Sequence, residues 1–119
     1  MLTVNNLLAF IQKLPLPLEV EKQTQLALAD HLKLLKADFK KEYHFDDKNI
    51  IDFYFPGLKL GIEIKIGNAS RKDIYRQIVR YCSFDTVDHI ILLTNKSIKM
   101  PPTIDNKIIT VIKLGNAWL

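Results

Sequence analysis

The chain is poor in the residues that mark several common function classes. It has a single cysteine, Cys82, so no internal disulfide can form and a cysteine-rich zinc site is excluded. A lone thiol fits a reducing, cytoplasmic setting. No uninterrupted apolar run approaches the roughly 18–20 residues that span a bilayer, so no membrane segment is expected. The opening MLTVNNLLAFIQKLPLP lacks both a basic start and a small-residue cleavage site, and is not read as a signal peptide. The glycines form no phosphate-cradling loop, which speaks against a nucleotide-driven motor. His31, His44 and His89 are scattered without metal-ligand spacing. Nothing repeats and no stretch is of low complexity.

What remains is a core-forming chain with uneven charge. Of 119 residues, 48% are hydrophobic, enough for a single domain over residues 1–119 to fold without staples. The net charge of +4 is concentrated in the second half. Residues 1–58 hold 7 basic and 8 acidic side chains, whereas residues 59–119 hold 10 and 5. That asymmetry is compatible with a polyanionic partner on one side of the molecule, and equally with an ordinary solvated surface.

The apolar pattern changes period along the chain. A short helix from Val4 to Gln12 is predicted, stopped by Leu-Pro-Leu-Pro at 14–17 because proline and its predecessor resist helical continuation. From Leu18 to Ala37 the spacing of Val20, Leu26, Leu28, Leu32 and Leu35 predicts a second helix, with Glu19 and Glu21 in its first turn. After Asp38 the period becomes two, predicting a strand over 39–45. Further strands are expected over Ile50–Phe55 and Leu58–Ile66, joined through Pro56-Gly57 as an antiparallel meander. A helix capped by Ser70 follows, with Ile74, Ile78, Tyr81 and Cys82 as its apolar stripe. Strands at His89–Thr94 and Lys107–Leu114 complete the pattern. The order α-α-β-β-β-α-β-β implies an α/β domain, a mixed central sheet flanked by helices, with a parallel strand pair across the crossover from Ile66 to His89.

The polar exceptions inside the strands carry the chemistry. In Gly61-Ile62-Glu63-Ile64-Lys65-Ile66 the isoleucines share one face, while Glu63 and Lys65 share the other. Such a pair could be a weak surface ion pair. Asp52, however, stands alone in Ile-Ile-Asp-Phe-Tyr-Phe, and an unpartnered buried carboxylate is costly unless it meets a cation or a donor. The Pro56-Gly57 hairpin can bring it beside Glu63. Two carboxylates plus a backbone carbonyl make an all-oxygen site suited to Mg²⁺, with Mn²⁺ as substitute, rather than zinc. Such an ion would polarise a phosphodiester and acidify a water, with Lys65 beside it to orient the water or stabilise developing charge.

Asp52, ten intervening residues, and Glu63-Ile64-Lys65 on consecutive strands resemble the signature of the PD-(D/E)XK nuclease superfamily, the restriction-endonuclease-like fold. Ile51 stands where the motif's proline would be. The resemblance covers residues 18–95 and includes an acidic early helix and a later helix carrying Arg76-Gln77-Ile78-Val79-Arg80-Tyr81. It implies a divalent-metal-dependent DNA endonuclease, structure-specific or directed by a partner protein or a homodimer. Its metal ligands would be Glu21 (or Glu19), Asp52, Glu63 and the Ile64 carbonyl, with Lys65 and Gln77 as further catalytic residues. Arg71, Lys72, Arg76 and Arg80 would contact phosphates. Glu21 also reads as a helix-dipole carboxylate, and Gln77 as a plain polar helix position. Two rival readings are a catalytically inactive nucleic-acid-binding or assembly module of the same fold, and a structural domain in which Asp52 and Lys65 form a buried ion pair.

Overall fold

A computed structural model of the chain describes residues 1–115. Its long helices are α1 (Val4–Gln12), α2 (Glu21–Leu32) and α3 (Arg71–Tyr81). The strands are β1 (Lys40–His44), β2 (Ile50–Phe55), β3 (Leu60–Lys65), β4 (His89–Thr94), β5 (Thr103–Ile104) and β6 (Lys107–Lys113). They form one mixed sheet in the order β1-β2-β3-β4-β6-β5. The β1-β2-β3 meander is antiparallel, whereas β3, β4 and β6 run parallel. The fold is therefore α/β, with the parallel crossover from β3 to β4 carried by α3.

Helices cover both faces. On one, Leu7 and Ile11 of α1 and Leu28 and Leu32 of α2 pack on Phe53, Phe55, Ile62, Ile64, Ile91 and Leu93. On the other, Ile74, Ile78 and Tyr81 of α3 and its C-cap Cys82 pack on Ile51, Tyr54, Ile90 and Leu92. The central β4 is buried along its full length, as expected of a parallel strand covered on both sides.

Two expectations are corrected. The second helix is shorter than 18–37. Val20 is its N-cap, and Lys36 in a left-handed conformation (φ 54°) closes the short 3₁₀ turn that follows it. Val20 and Leu26 are exposed, whereas Thr24, whose hydroxyl bonds the Pro17 and Val20 carbonyls, is buried. Glu19 consequently lies before the helix, and only Glu21 is in its first turn. The last long strand is the sixth rather than the fifth, because Thr103–Ile104 forms a two-residue hairpin partner to it through Asp105-Asn106.

The sheet departs from regular alternation at one level. Along β1 and its flanking residues, Phe39 packs toward α1 and α2, yet Tyr43 and Phe45, at the same parity, pack toward α3. In β2, Phe53 and Phe55 pack toward α1 and α2, yet Ile51 packs toward α3. The reversal sits at Glu42 and Asp52, the position the ladder skips between the Lys41–Phe53 and Tyr43–Ile51 pairs, where Glu42 adopts a left-handed φ of 50°. A non-glycine residue there costs about 1–2 kcal/mol, and such strain gathers at functional positions.

Candidate metal and active site

The ladder between β2 and β3 pairs Phe55 with Leu60, Tyr54 with Gly61 and Phe53 with Ile62, and goes no further. Beyond it the strands part, and two carboxylates take the donors that the ladder leaves free. Asp52 Oδ2 accepts the Ile64 backbone N–H at 2.8 Å, and Glu63 Oε1 accepts the Asp52 backbone N–H at 3.3 Å. The hairpin thus brings Asp52 and Glu63 together by reciprocal side-chain-to-backbone bonds across the opening.

Each carboxylate is also tied to a helix, and the two helices lie on opposite faces. Gln25 of α2 donates to Asp52 Oδ1 at 3.1 Å. Tyr81 of α3 places its hydroxyl 3.2 Å from Glu63 Oε1 and 2.6 Å from the Ile50 carbonyl, and Gln77 donates to that hydroxyl at 2.8 Å. Glu21, one turn before Gln25, accepts the Ile66 N–H at 2.9 Å where β3 ends. The i, i+4 pairs Glu21/Gln25 and Gln77/Tyr81 therefore brace the opening from the two sides.

Lys65 Nζ lies 3.1 Å from Glu63 Oε2, and both side chains are largely buried. The lysine of this site is thus salt-bridged to Glu63, not to Asp52 as the buried-pair reading required. Burial raises the Asp52 carboxyl to about 6, with the nearby negative charge of Glu21 adding to it, against the Ile64 N–H, Lys65 and Gln25, which lower it. Burial, then repulsion from Asp52, raises Glu63 to about 8, despite Lys65 beside it. Burial, then Glu63 and Asp52, pushes the Tyr81 hydroxyl far up, so it stays a neutral donor or acceptor.

Among the described residues no three His, Cys, Asp or Glu side chains already stand in a ligating cluster. The donor set nevertheless fits a hard divalent cation. Asp52 and Glu63 are adjacent carboxylates with one ammonium, that of Lys65, bound to Glu63, and Glu21 is near enough to be felt electrostatically by Asp52. A cation would offset the burial and, secondarily, the repulsion that raise both carboxyls. Ile64, whose carbonyl completes the predicted ligand set, is held at Asp52 through its backbone N–H.

The basic residues of α3 are all exposed but do not act as one group. Arg71 donates to the Ser97 carbonyl at 3.1 Å, Arg76 faces Asp73 at 3.9 Å, and Arg80 donates to Asn49 at 3.1 Å. Lys72 is exposed in the first turn. Glu42 is exposed opposite Lys22 at 4.0 Å. His89, 7% exposed, bonds Thr110 at 2.8 Å, and burial lowers its basicity; it is a packed core histidine. Cys82 is buried, with its thiol pushed up to about 11 by burial, and is unreactive.

Sequence reasoning missed Gln25 and Tyr81. Gln25 had a signal, since it follows Glu21 by one helical turn. Tyr81 was legible only as an apolar stripe residue, because its hydroxyl end bonds a strand carbonyl that periodicity does not locate.

In comparisons with family models, curated proteins and solved structures, nothing matches this chain.

Proposed function

We propose that the chain is a divalent-metal-dependent nuclease of the PD-(D/E)XK type that hydrolyses phosphodiester bonds in DNA, acting as an endonuclease inside the cell. The observation that carries this reading is the opened β2–β3 pair, where Asp52 and Glu63 are held against repulsion with Lys65 at 3.1 Å from Glu63. A fold that needed only stability would fill this position with apolar residues, because an ion pair buried this deeply seldom outperforms hydrophobic packing. Glu21, Asp52, Glu63 and the Ile64 carbonyl would hold the ion. Bound Mg²⁺ or Mn²⁺ supplies Lewis acidity toward the phosphate and toward the attacking water.

The protein's own groups do the rest. Gln25 and the Ile64 N–H fix the Asp52 carboxylate, and Tyr81 fixes Glu63, so neither needs to reorganise when substrate arrives. Lys65 places positive charge where a phosphate oxygen gains negative charge in the transition state. Gln77 acts through Tyr81 and is a positioning residue.

The test is incubation of the purified protein with linear, nicked, branched and single-stranded DNA, in Mg²⁺, Mn²⁺ or chelator. Cleavage should require the metal and be lost by at least about a hundredfold, the scale of removing one transition-state electrostatic group, in Asp52→Ala, Glu63→Ala and Lys65→Ala while circular dichroism stays native. Full activity in chelator, or in Glu63→Ala, overturns the proposal. DNA binding with neither metal binding nor cleavage would leave the inactive nucleic-acid-binding module as the reading.

A further inference from the structure

The register of the parallel strands aligns Lys65 of β3 with Thr94 of β4, and Thr94 with Lys113 of β6. Register partners project from the same face, so Lys65 and Lys113 stand at one level, two strand spacings apart, or roughly 10 Å. The same place receives a third cation from another element. Arg71, at the start of α3, donates to the Ser97 carbonyl at 3.1 Å, and Lys113 Nζ lies 2.9 Å from the Ser97 hydroxyl. Two positive side chains therefore converge on one residue, neither of them in a salt bridge among the described residues. The segment that presents Ser97, residues 89–104, contains Lys96 and Lys99 and no acidic residue.

Gathered like charges without a counter-charge are unfavourable in the free protein, which makes them a ready anion site. Their place is the carboxyl end of the parallel strands, where open α/β sheets bind ligands. Arg80 lies nine residues further along α3, about 14 Å away at the helical rise, and its guanidinium faces Asn49 instead.

We propose that Arg71, Lys113 and the Lys96–Lys99 loop form a phosphate-binding station for duplex DNA, beside the scissile site and distinct from Arg76 and Arg80. The station rests on the nuclease reading for its substrate. It holds the backbone of the bound duplex on the β6 side of Lys65. Phosphates there displace counterions and fix register on the duplex without reading sequence.

The experiment measures binding of a short labelled DNA duplex to the full chain in chelator, as a function of salt, so that no cleavage intervenes. Arg71→Ala/Lys113→Ala should weaken binding at least tenfold and reduce the slope of log affinity against log salt by about 1.8, for two lost phosphate contacts at about 0.9 each. Arg71→Lys/Lys113→Arg should restore most of the affinity, and Arg80→Ala should change it by less than threefold. Inorganic phosphate at millimolar concentration should not compete measurably, since one phosphate cannot reproduce the linked contacts of a strand. The melting temperature of the alanine pair should be unchanged or higher, because it relieves repulsion; a merely structural role predicts a fall. Wild-type affinity and salt slope in the alanine pair overturn the station, whatever the cleavage assay shows. A lost affinity in the alanine pair without metal-dependent cleavage by the wild type supports the station and removes the nuclease.

Discussion

Asp52 and Glu63 bring their cost to a definite pH range. Both carboxyls are raised from ordinary values of 3.8 and 4.5 to about 6 and about 8, chiefly by burial. Each binds its proton more tightly in the folded than in the unfolded chain. Their contribution is therefore most favourable below about pH 4 and is lost as pH rises toward 8. Asp46, held low by the Lys48 and Asn49 N–H groups, and His89, lowered by burial, act in the opposite sense, so total stability is the wrong observable. The difference between the metal-free wild type and Asp52→Asn/Glu63→Gln isolates the effect. Urea titrations should show the wild type losing at least about 1.4 kcal/mol relative to the double variant between pH 5 and pH 8. Parallel pH profiles would mean the pair is not desolvated. Tyr81→Phe probes the same site from α3: it leaves the Ile50 carbonyl and Gln77 without their hydroxyl partner. It should cost about 1–2 kcal/mol and lower the cleavage rate more than the substrate affinity, since the loss falls on the orientation of Glu63.

At the scale of elements, the opening depends on close packing just before it. Gly61 lies opposite Tyr54, and a Cβ there would come 2.4 Å from Ile51 Cδ1 and 3.4 Å from Ile90 Cδ1. Gly61→Ala should therefore destabilise by roughly 1–3 kcal/mol through overpacking. The near atom is the tip of a flexible side chain, so Ile51→Val should recover part of that loss. A double-mutant cycle by chemical denaturation measures it, and additive effects would show that Ile51 is not the obstacle. Ser70→Ala removes the cap bond to the Asp73 N–H, at 3.0 Å, and should cost about 1 kcal/mol. These elements differ in how far the sequence announces them. Val4–Gln12, Ile50–Phe55 and His89–Thr94 coincide with their predicted limits, since proline, turn residues and unbroken apolar runs bound them. The second helix misleads because Leu26 is apolar yet exposed, and Thr24 is polar yet buried by bonding carbonyls behind it. The face reversal at Glu42 and Asp52 is illegible: a left-handed φ at a glutamate has no compositional mark, and strict alternation would have put Phe39 and Tyr43 on one face.

At the scale of the whole molecule, the site joins both layers of helices across the sheet, so its electrostatics bear on global stability. Asp52→Asn keeps the side chain's shape and discards its charge. Its amide oxygen can accept the Ile64 N–H in place of Oδ2, and its NH₂ can face Gln25 if that amide turns its oxygen inward. The variant loses one of two repelling carboxylates while Lys65 keeps its bond to Glu63, so the metal-free protein should be as stable as the wild type or more stable. Activity should nevertheless be lost. Added Mg²⁺ should then separate the two proteins. An ion that binds only the folded wild type at a hundredfold excess over Kd contributes about 2.7 kcal/mol, or roughly 10 °C in melting temperature for a chain of this size. Asp52→Asn should respond by a small fraction of that. Scanning calorimetry of both proteins, with Mg²⁺ and with chelator, gives all four values. A metal-free Asp52→Asn protein that melts far below the wild type would mean that the carboxylate holds the fold through its bonds to Ile64 and Gln25. A wild type indifferent to Mg²⁺ would remove the reason for keeping two repelling carboxylates where the strands part.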